Sequence, residues 1–224
     1  MTISDKDLAV LLDRSSVFLE SVHRYIAPLA PYPDQRSRIA FQAGLLAIEH
    51  ATGTCTLIRI GLAPSAIALM RPQFESLVRG IWVVHAASDA WVSKLGEPLT
   101  AVSAKHANEG PMLTEMLKGL SASQSGPKEI VDQLKDYRDV TWKALNSYVH
   151  GGLHPIARTA SGYPARLTYD VVRNSNAITA ITFQLLSILT GDPAAMEPVR
   201  ALHREFCDCL PIIRAPGFHP AGLP

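Results

Sequence analysis

The sequence predicts an all-α fold, a helical bundle of about four to five long helices with short extra helices. Along several long segments apolar residues recur at intervals close to 3.6 residues, the period of one helix face. No segment shows the alternation of a strand, and proline and glycine separate the helical segments. The 224 residues can bury one large core, so we expect a single helical-bundle domain over residues 1–214. The Pro- and Gly-rich residues 215–224 are expected to form a disordered tail.

The composition is apolar for a soluble monomer. Hydrophobic residues make up 47% of the chain and charged residues 18%, and the mean hydropathy is +0.11. This balance favours a thick bundle, a buried oligomer interface, or both. The net charge of +1 does not by itself indicate a nucleic-acid-binding protein. The richest apolar run, residues 57–82, is interrupted by charges and prolines, so we expect no membrane span.

The first two long helices have clear start and stop signals. Ser4 can cap the first helix, which we expect to end before Pro28. Asp34 can cap the second helix, which we expect to run to about Leu62. Small residues crowd the apolar stripe of this second helix and would let another helix approach closely; they are Ala43, Gly44, Ala47, Ala51 and Gly53.

The third helix is expected at the centre of the bundle. Pro64 suits its first turn, and residues 65–87 are apolar on most faces. Pro72 is expected to kink this helix or to mark a short break. Three charged residues follow one another at i,i+4 steps, and we call them the Arg–Glu–Arg ladder: Arg71, Glu75 and Arg79. Buried charges need partners, so the ladder either fixes the register of neighbouring helices or contacts a substrate.

The middle of the chain is less regular. Short helices are predicted at residues 89–94, 99–109 and 112–120, followed by a loop at residues 121–126. We interpret residues 88–127 as a lid or cap on the bundle.

A fourth long helix begins at Pro127 and ends at the double glycine of residues 151–152. Its last turns carry the densest polar cluster in the chain: Asn146, Ser147, Tyr148 and His150.

Beyond the double glycine, residues 153–167 have the character of a loop. A further helix is predicted from about Thr168 to Leu189. A break at residues 191–193 then precedes a last helix over residues 194–213.

The polar cluster is the candidate site. Asn146 and His150 lie four residues apart, so both side chains project from one face of the helix, whereas Tyr148 points elsewhere. A histidine beside an amide can act as a general acid or base near neutral pH. The alternative is that His150 caps its own helix and hydrogen-bonds to the core.

The pair Asn146-x-x-x-His150 resembles the Arg-Asn-x-x-x-His signature of the HEPN superfamily. The run from Arg71 to Arg79 also looks like a feature of bacterial helical families with a similar late histidine motif. Together the matches cover about residues 42–152. The resemblance implies an α-helical bundle that acts as a homodimer, cleaves RNA without a metal, and belongs to a toxin–antitoxin or antiviral defence system.

The resemblance also implies roles for individual residues. The signature positions His150 and Asn146 would be catalytic. As candidate substrate-binding residues around them we predict Arg71, Glu75, Arg79, Lys143, Tyr148 and His154. If the Arg–Glu–Arg ladder contacts a substrate, we expect Glu75 to orient the His150 imidazole and one of the arginines to bind an anion. Leu145 stands where the signature has its arginine, so positive charge would have to come from Lys143 or from the ladder.

Other chemistries lack their motifs. There is no Gly-rich phosphate loop, no Gly-x-Ser-x-Gly, no His-Glu-x-x-His and no Glu-x-x-His pair. Cys207 and Cys209 form a lone Cys-x-Cys pair, which is a weak metal signal. We therefore predict no metal and no cofactor. With Cys55 the cysteines number three, and an odd count without a secretion signal favours the reducing cytoplasm.

Three functions remain open from the sequence. The first is a HEPN-like toxin or defence protein, a metal-independent endoribonuclease or RNA-binding protein that forms a homodimer and has RNA or an antitoxin as its partner. The second is a non-catalytic helical module for dimerisation or partner binding. The third is a bundle that binds a small anionic molecule through the Arg–Glu–Arg ladder.

Overall fold

The computed structural model describes residues 2–98, 100–101 and 110–211, and every regular element in these ranges is helical. In chain order the helices are α1 (Asp5–Ile26), α2 (Gln35–Arg59), α3 (Ala63–His85), α4 (Asp89–Leu95), α5 (Leu113–Ala122), α6 (Lys128–Val149), α7 (Leu153–Ser161), α8 (Ala165–Ile188) and α9 (Met196–Glu205). Short 3₁₀ turns precede and follow α9, at Pro193–Ala195 and Cys207–Cys209. Five helices are long, with 22 to 25 residues each, which confirms the predicted all-α bundle for the described residues.

Side-chain caps begin the first two helices where the sequence predicts them. Ser4 and Asp7 form a reciprocal capping box at the start of α1. The Asp34 carboxylate accepts a hydrogen bond of 2.9 Å from the backbone N–H of Ser37 at the start of α2.

The α3 helix lies at the centre, in contact with α2, α5, α6 and α8. Its residues Phe74, Leu77 and Val78 are fully buried. The α2–α3 pair has the most extensive contact in the bundle, because glycines allow close approach. A Cβ atom added to Gly80 of α3 would lie 3.2 Å from the carbonyl oxygen of Ala40 in α2.

The α3 helix passes through Pro72 without a break, so the alternative that Pro72 interrupts the helix is wrong. Proline in a helix interior removes one hydrogen bond and costs about 3 kcal/mol. Burial of the large side chains Met70 and Phe74 on either side can offset that cost, since each contributes roughly 1.5–3 kcal/mol.

Three sequence boundaries are corrected in the second half of the chain. Residues 153–167 are not a loop, because α7 occupies Leu153–Ser161. The predicted loop at residues 121–126 begins later, since α5 continues to Ala122. The last helix ends at Glu205 rather than near residue 213, and the Cys207–Cys209 turn follows it.

The missed helix α7 has a local explanation. Pro155 lies in its first turn, where backbone N–H groups have no partner within the helix, so proline is tolerated there. Gly162, with a φ of +82°, ends the helix. The double glycine and Pro155 had the character of loop residues, although Leu153 and Ile156 have helical spacing.

Two predictions fall largely or wholly outside the described ranges: the short helix at residues 99–109, of which only residues 100–101 are described and are not helical, and the disordered tail at residues 215–224. Within the described ranges, no helix has the length and hydropathy needed to cross a bilayer.

Candidate functional site

A cavity of about 380 Å³ lies between α3 and α6, and residues 110–114 form its third wall. It brings together five of the residues that the sequence singles out: Arg71, Glu75, Arg79, Asn146 and His150. Trp142 also lines the cavity, as do the residues at the start of α5.

The end of α6 sets the position of His150. The His150 backbone N–H donates to the Asn146 carbonyl at 3.0 Å, so the side chain leaves from the last helical turn. Gly151 takes a left-handed conformation with a φ of +62°, and the Gly152 N–H donates to the Ser147 carbonyl at 2.7 Å. This is the hydrogen bond of a Schellman motif, which ends the helix at the predicted double glycine.

Arg71 makes the contact that joins α3 to α6. Its Nη1 lies 3.1 Å from Nε2 of His150, and its Nε donates to Oε1 of Glu75 at 3.0 Å. Its guanidinium carbon also lies 4.8 Å from the centre of the Trp142 ring, within cation–π range. Arg71 thus contacts the imidazole of His150, the carboxylate of Glu75 and the indole of Trp142.

The contact between Arg71 and His150 fixes the state of the imidazole. A guanidinium has only donors, so Arg71 donates and Nε2 of His150 accepts. The imidazole is therefore neutral in this arrangement and carries its proton on Nδ1. Glu75 is connected to the imidazole through Arg71, because Glu75 contacts Arg71 and Arg71 contacts His150.

Arg79 supplies a positive charge that no described neighbour neutralises by direct contact. Its guanidinium lines the cavity and has no hydrogen bond or ion pair to any other residue that the structure describes. Burial lowers the pKa of Arg79, and the negative charge of Glu75 raises it in part. An arginine remains protonated in proteins even so. With a neutral His150, the charges of Arg71, Glu75 and Arg79 sum to a net positive charge.

Asn146 contributes an unsatisfied amide. Its Oδ1 is buried and has no hydrogen-bond partner among the described residues, although its side chain lines the cavity one turn before His150. Buried polar atoms are usually paired, so an unpaired one beside a cavity marks a position for a ligand or a water molecule. The cavity thus combines the Arg79 cation, a neutral imidazole and an unpaired amide.

Three predicted substrate-binding residues do not line the cavity. Lys143 is exposed, and Tyr148 and His154 belong to a separate group of rings on α6 and α7. Burial raises the pKa of Tyr148 to about 12.

Sequence reasoning missed Trp142 and residues 110–114. Trp142 shares the helical spacing of Asn146 and His150, at four-residue steps, and this spacing could have identified it. No local signal marks residues 110–114, because only the packing of α5 on α3 places them beside the Arg–Glu–Arg ladder.

The described residues hold no group of three or more histidine, cysteine or acidic side chains placed to bind a metal. Cys55 and Cys209 are buried, and Cys207 is exposed. Burial, followed by the charge of Asp208, raises the pKa of Cys209 to about 12. The Cys209 thiol is therefore an inert part of the core at neutral pH.

Comparison with known proteins gives one finding. A family model described as "Family of unknown function (DUF6988)" matches residues 44–212, a range that includes every residue lining the cavity between α3 and α6. No curated protein and no solved structure matches the chain.

Proposed function

Because the chain belongs to the DUF6988 family of unknown function, we propose its activity from its own site: metal-independent cleavage of RNA at the cavity between α3 and α6. The observation that carries the proposal is the contact between Arg71 and His150 in the same cavity as the Arg79 guanidinium. Cationic donors next to a neutral imidazole suit a phosphodiester, which carries one negative charge. The resemblance of Asn146-x-x-x-His150 to the HEPN signature supports the same reaction class.

The proposed reaction begins when the phosphate binds. Arg79 and Arg71 donate to its non-bridging oxygens, which draws Arg71 away from His150 and frees the Nε2 lone pair. His150 then takes the proton of the neighbouring 2′-hydroxyl. The 2′-oxygen attacks phosphorus, the bond from phosphorus to the 5′-oxygen breaks, and the 5′-oxygen takes a proton from solvent. A 2′,3′-cyclic phosphate and a 5′-hydroxyl result.

The other residues of the cavity have supporting roles in this proposal. Arg71 and Arg79 stabilise the charge that develops on the phosphate oxygens. Asn146 positions the ribose and the phosphate through its amide. Glu75 holds Arg71 by its Nε, leaving the far end of the guanidinium to contact either His150 or the substrate.

The biological setting is part of the proposal. The HEPN resemblance implies a homodimer in which two copies of the signature meet, and a toxin or defence role with an antitoxin as partner. The high mean hydropathy of +0.11 favours an oligomer interface, and the three unpaired cysteines favour the reducing cytoplasm.

The test is cleavage of a fluorogenic RNA by the purified protein in EDTA. Wild type is expected to cleave, and His150→Ala is expected to lose about 100-fold or more in rate, the usual contribution of a general base. Arg79→Gln should also lose activity, whereas His203→Ala on α9 should retain it. Equal rates in wild type and His150→Ala, or no cleavage of any RNA by wild type, would refute the proposal.

A non-catalytic role is the second candidate, and one observation favours it. The chain of contacts from Glu75 through Arg71 to His150 links α3 to α6 without any ligand. In that case His150→Ala lowers the free energy of unfolding or weakens dimerisation and changes no chemistry. Urea unfolding together with RNA cleavage by wild type and His150→Ala separates the readings, because both readings lose the contact with Arg71 and only a catalytic His150 changes the cleavage rate.

A further inference from the structure

A second surface, formed by the end of α6 and by α7, has the chemistry of a nucleic-acid-binding surface. We call it the α7 surface and define it by Lys143, Tyr148, His154, Arg158 and Tyr163. None of these residues lines the cavity between α3 and α6.

The rings of the α7 surface form a series that ends at the exposed side. The Tyr148 ring lies 6.4 Å from the Tyr163 ring and 6.4 Å from the His154 ring, measured between ring centres. Tyr148 and Tyr163 are half-buried and pack against the core, whereas His154 is exposed. Tyr148 therefore lies between Tyr163 and the exposed ring of His154. A nucleobase stacked on such a platform contributes binding energy with little sequence preference.

The segment that forms the α7 surface has basic side chains and no acidic ones. Residues 140–169 contain no aspartate or glutamate, although the first half of α6 has four acidic residues between positions 128 and 139. Arg166 pairs with Asp170, with 2.7 Å from Nε to Oδ2. Lys143 and Arg158 have no ion pair with any residue in the described ranges. The surface is thus complementary in charge to a polyanion.

The α7 helix is also uncovered. None of its residues is buried, and Leu153 and Ile156 are 83% and 64% exposed. The Ser147 hydroxyl accepts from the His154 N–H at 3.1 Å, which ties the start of α7 to the last turns of α6 and hence to the position of His150. A strand that lies on α7 thus reaches the end of α6 that carries His150.

We infer that the α7 surface binds single-stranded nucleic acid, with a base stacked on His154 and phosphates at Lys143 and Arg158. This inference rests on the proposed function, since it assigns single-stranded RNA as the substrate class of the cleavage site. A base must be unpaired and unstacked to stack on the exposed His154 ring, so we expect a duplex not to bind there. The platform makes no use of the 2′-hydroxyl, so single-stranded DNA binds to it as well and is not cleaved.

The test measures binding without cleavage. A fluorescein-labelled oligouridylate with 2′-O-methyl groups has no nucleophile, and its anisotropy reports the affinity of the full chain. Arg158→Gln and Lys143→Gln are each expected to weaken binding about fivefold. Each should also make the plot of log affinity against log salt concentration less steep, by about 0.7 for every phosphate that the variant no longer binds. His154→Ala is expected to weaken binding about tenfold, because the base can no longer stack.

Each variant has a matched control at an exposed residue. Arg24→Gln on α1, Lys118→Gln on α5 and His203→Ala on α9 remove the same groups elsewhere and should bind as wild type does. The matching single-stranded DNA is expected to bind within a few-fold of RNA, and the duplex much more weakly.

The outcomes separate this inference from the proposed function. Binding that depends on Arg158 and His154, without RNA cleavage by wild type, supports the α7 surface and refutes the nuclease. Cleavage that is unaffected by all three α7 variants refutes the α7 surface and leaves the nuclease in place. If no strand binds, and Ile156→Ser instead lowers the oligomeric mass in solution, the surface contacts a second copy and the inference is wrong.

Discussion

Arg71 contacts Glu75, His150 and Trp142. Its ion pair with Glu75 contributes little to stability, so the main effect of these contacts is to place the guanidinium at the cavity. The Arg71 and Glu75 side chains are 24% and 31% exposed, and a partly exposed pair of this kind contributes only about 0–1 kcal/mol to stability. The same guanidinium keeps a lone pair of His150 occupied and lies over the Trp142 ring. The Arg–Glu–Arg ladder is therefore better explained by placement of donors around a cavity than by stabilisation of the helix.

Asn146 gives the residue-scale prediction. Asn146→Asp places a carboxylate where a buried amide oxygen now lacks a donor among the described residues, in the cavity that Arg71 and Arg79 line. The new charge is expected to pair with an arginine, so the protein stays folded and loses its affinity for anions. Thermal unfolding with and without inorganic phosphate measures this, because a ligand bound to the folded state raises Tm.

The matched control is Asn174→Asp on α8, which adds the same charge to a residue that does not line the cavity. Phosphate should raise the Tm of wild type and of this control and leave the Tm of Asn146→Asp unchanged. A full phosphate response in Asn146→Asp would show that the cavity is not the anion site.

At the scale of the elements, the contact between α2 and α3 decides whether the Arg–Glu–Arg ladder faces α6. These two helices approach closely because Gly80 has no side chain: an added Cβ would lie 3.2 Å from the Ala40 carbonyl oxygen and 2.9 Å from Cδ2 of Leu185. The backbone oxygen cannot turn away as a side chain can. The spacing of α3 from α2, and hence its position relative to α6, depends on this glycine.

Gly80→Ala is therefore expected to lower the free energy of unfolding by about 1–3 kcal/mol, the usual range for overpacking. Gly53→Ala on α2 is the matched control. Its added Cβ would meet only Cδ1 of Leu69, at 2.8 Å, and that flexible end can move. The gain in helix propensity of about 1 kcal/mol should leave Gly53→Ala as stable as wild type or more stable. Urea unfolding at neutral pH measures both, and equal losses in the two variants would contradict this account.

At the scale of the whole molecule, buried and half-buried titratable groups limit the pH range of stability from both sides. On the acid side, burial lowers the pKa of the half-buried His50 and His85. The unfolded chain binds protons at these sites from about pH 6.5 downward, while the folded chain does not until lower pH. The stability that the neutral imidazoles contribute is fully present above about pH 6.5. It decreases as the pH falls toward the pKa values that these histidines have in the folded chain.

On the alkaline side, burial raises the pKa values instead of lowering them, so stability decreases as the pH rises. Burial raises the pKa of Tyr148 and Cys209 to about 12, and it also raises the pKa of Tyr137. In the unfolded chain cysteine loses its proton near about pH 8.5 and tyrosine near about pH 10, so stability decreases above about pH 8.5. Urea unfolding at about pH 5, 7.5 and 9.5 should give the highest stability at the middle value. A free energy of unfolding that is constant from about pH 5 to 7.5 would contradict the acid-side prediction.

The sequence by itself determined the helical class and most of the helix boundaries. These depend on interactions within a few residues: the 3.6-residue period, the caps at Ser4 and Asp34, and the double glycine after His150. The same short-range geometry placed Asn146 and His150 on one face of α6. Where local signals conflicted the prediction was wrong, as at α7, where Gly152 and Pro155 outweighed the helical spacing of two apolar residues.

Only the tertiary structure decided which side chains meet. Arg71 and His150 are 79 residues apart in the chain, and their contact depends on how α3 and α6 are rotated and spaced against each other. A helical period gives the direction of a side chain around its own axis and says nothing about the neighbouring helix. For that reason the sequence could identify the Arg–Glu–Arg ladder and His150 as candidates, whereas packing around Gly80 and the start of α5 assembled them into one cavity and left Lys143 outside it.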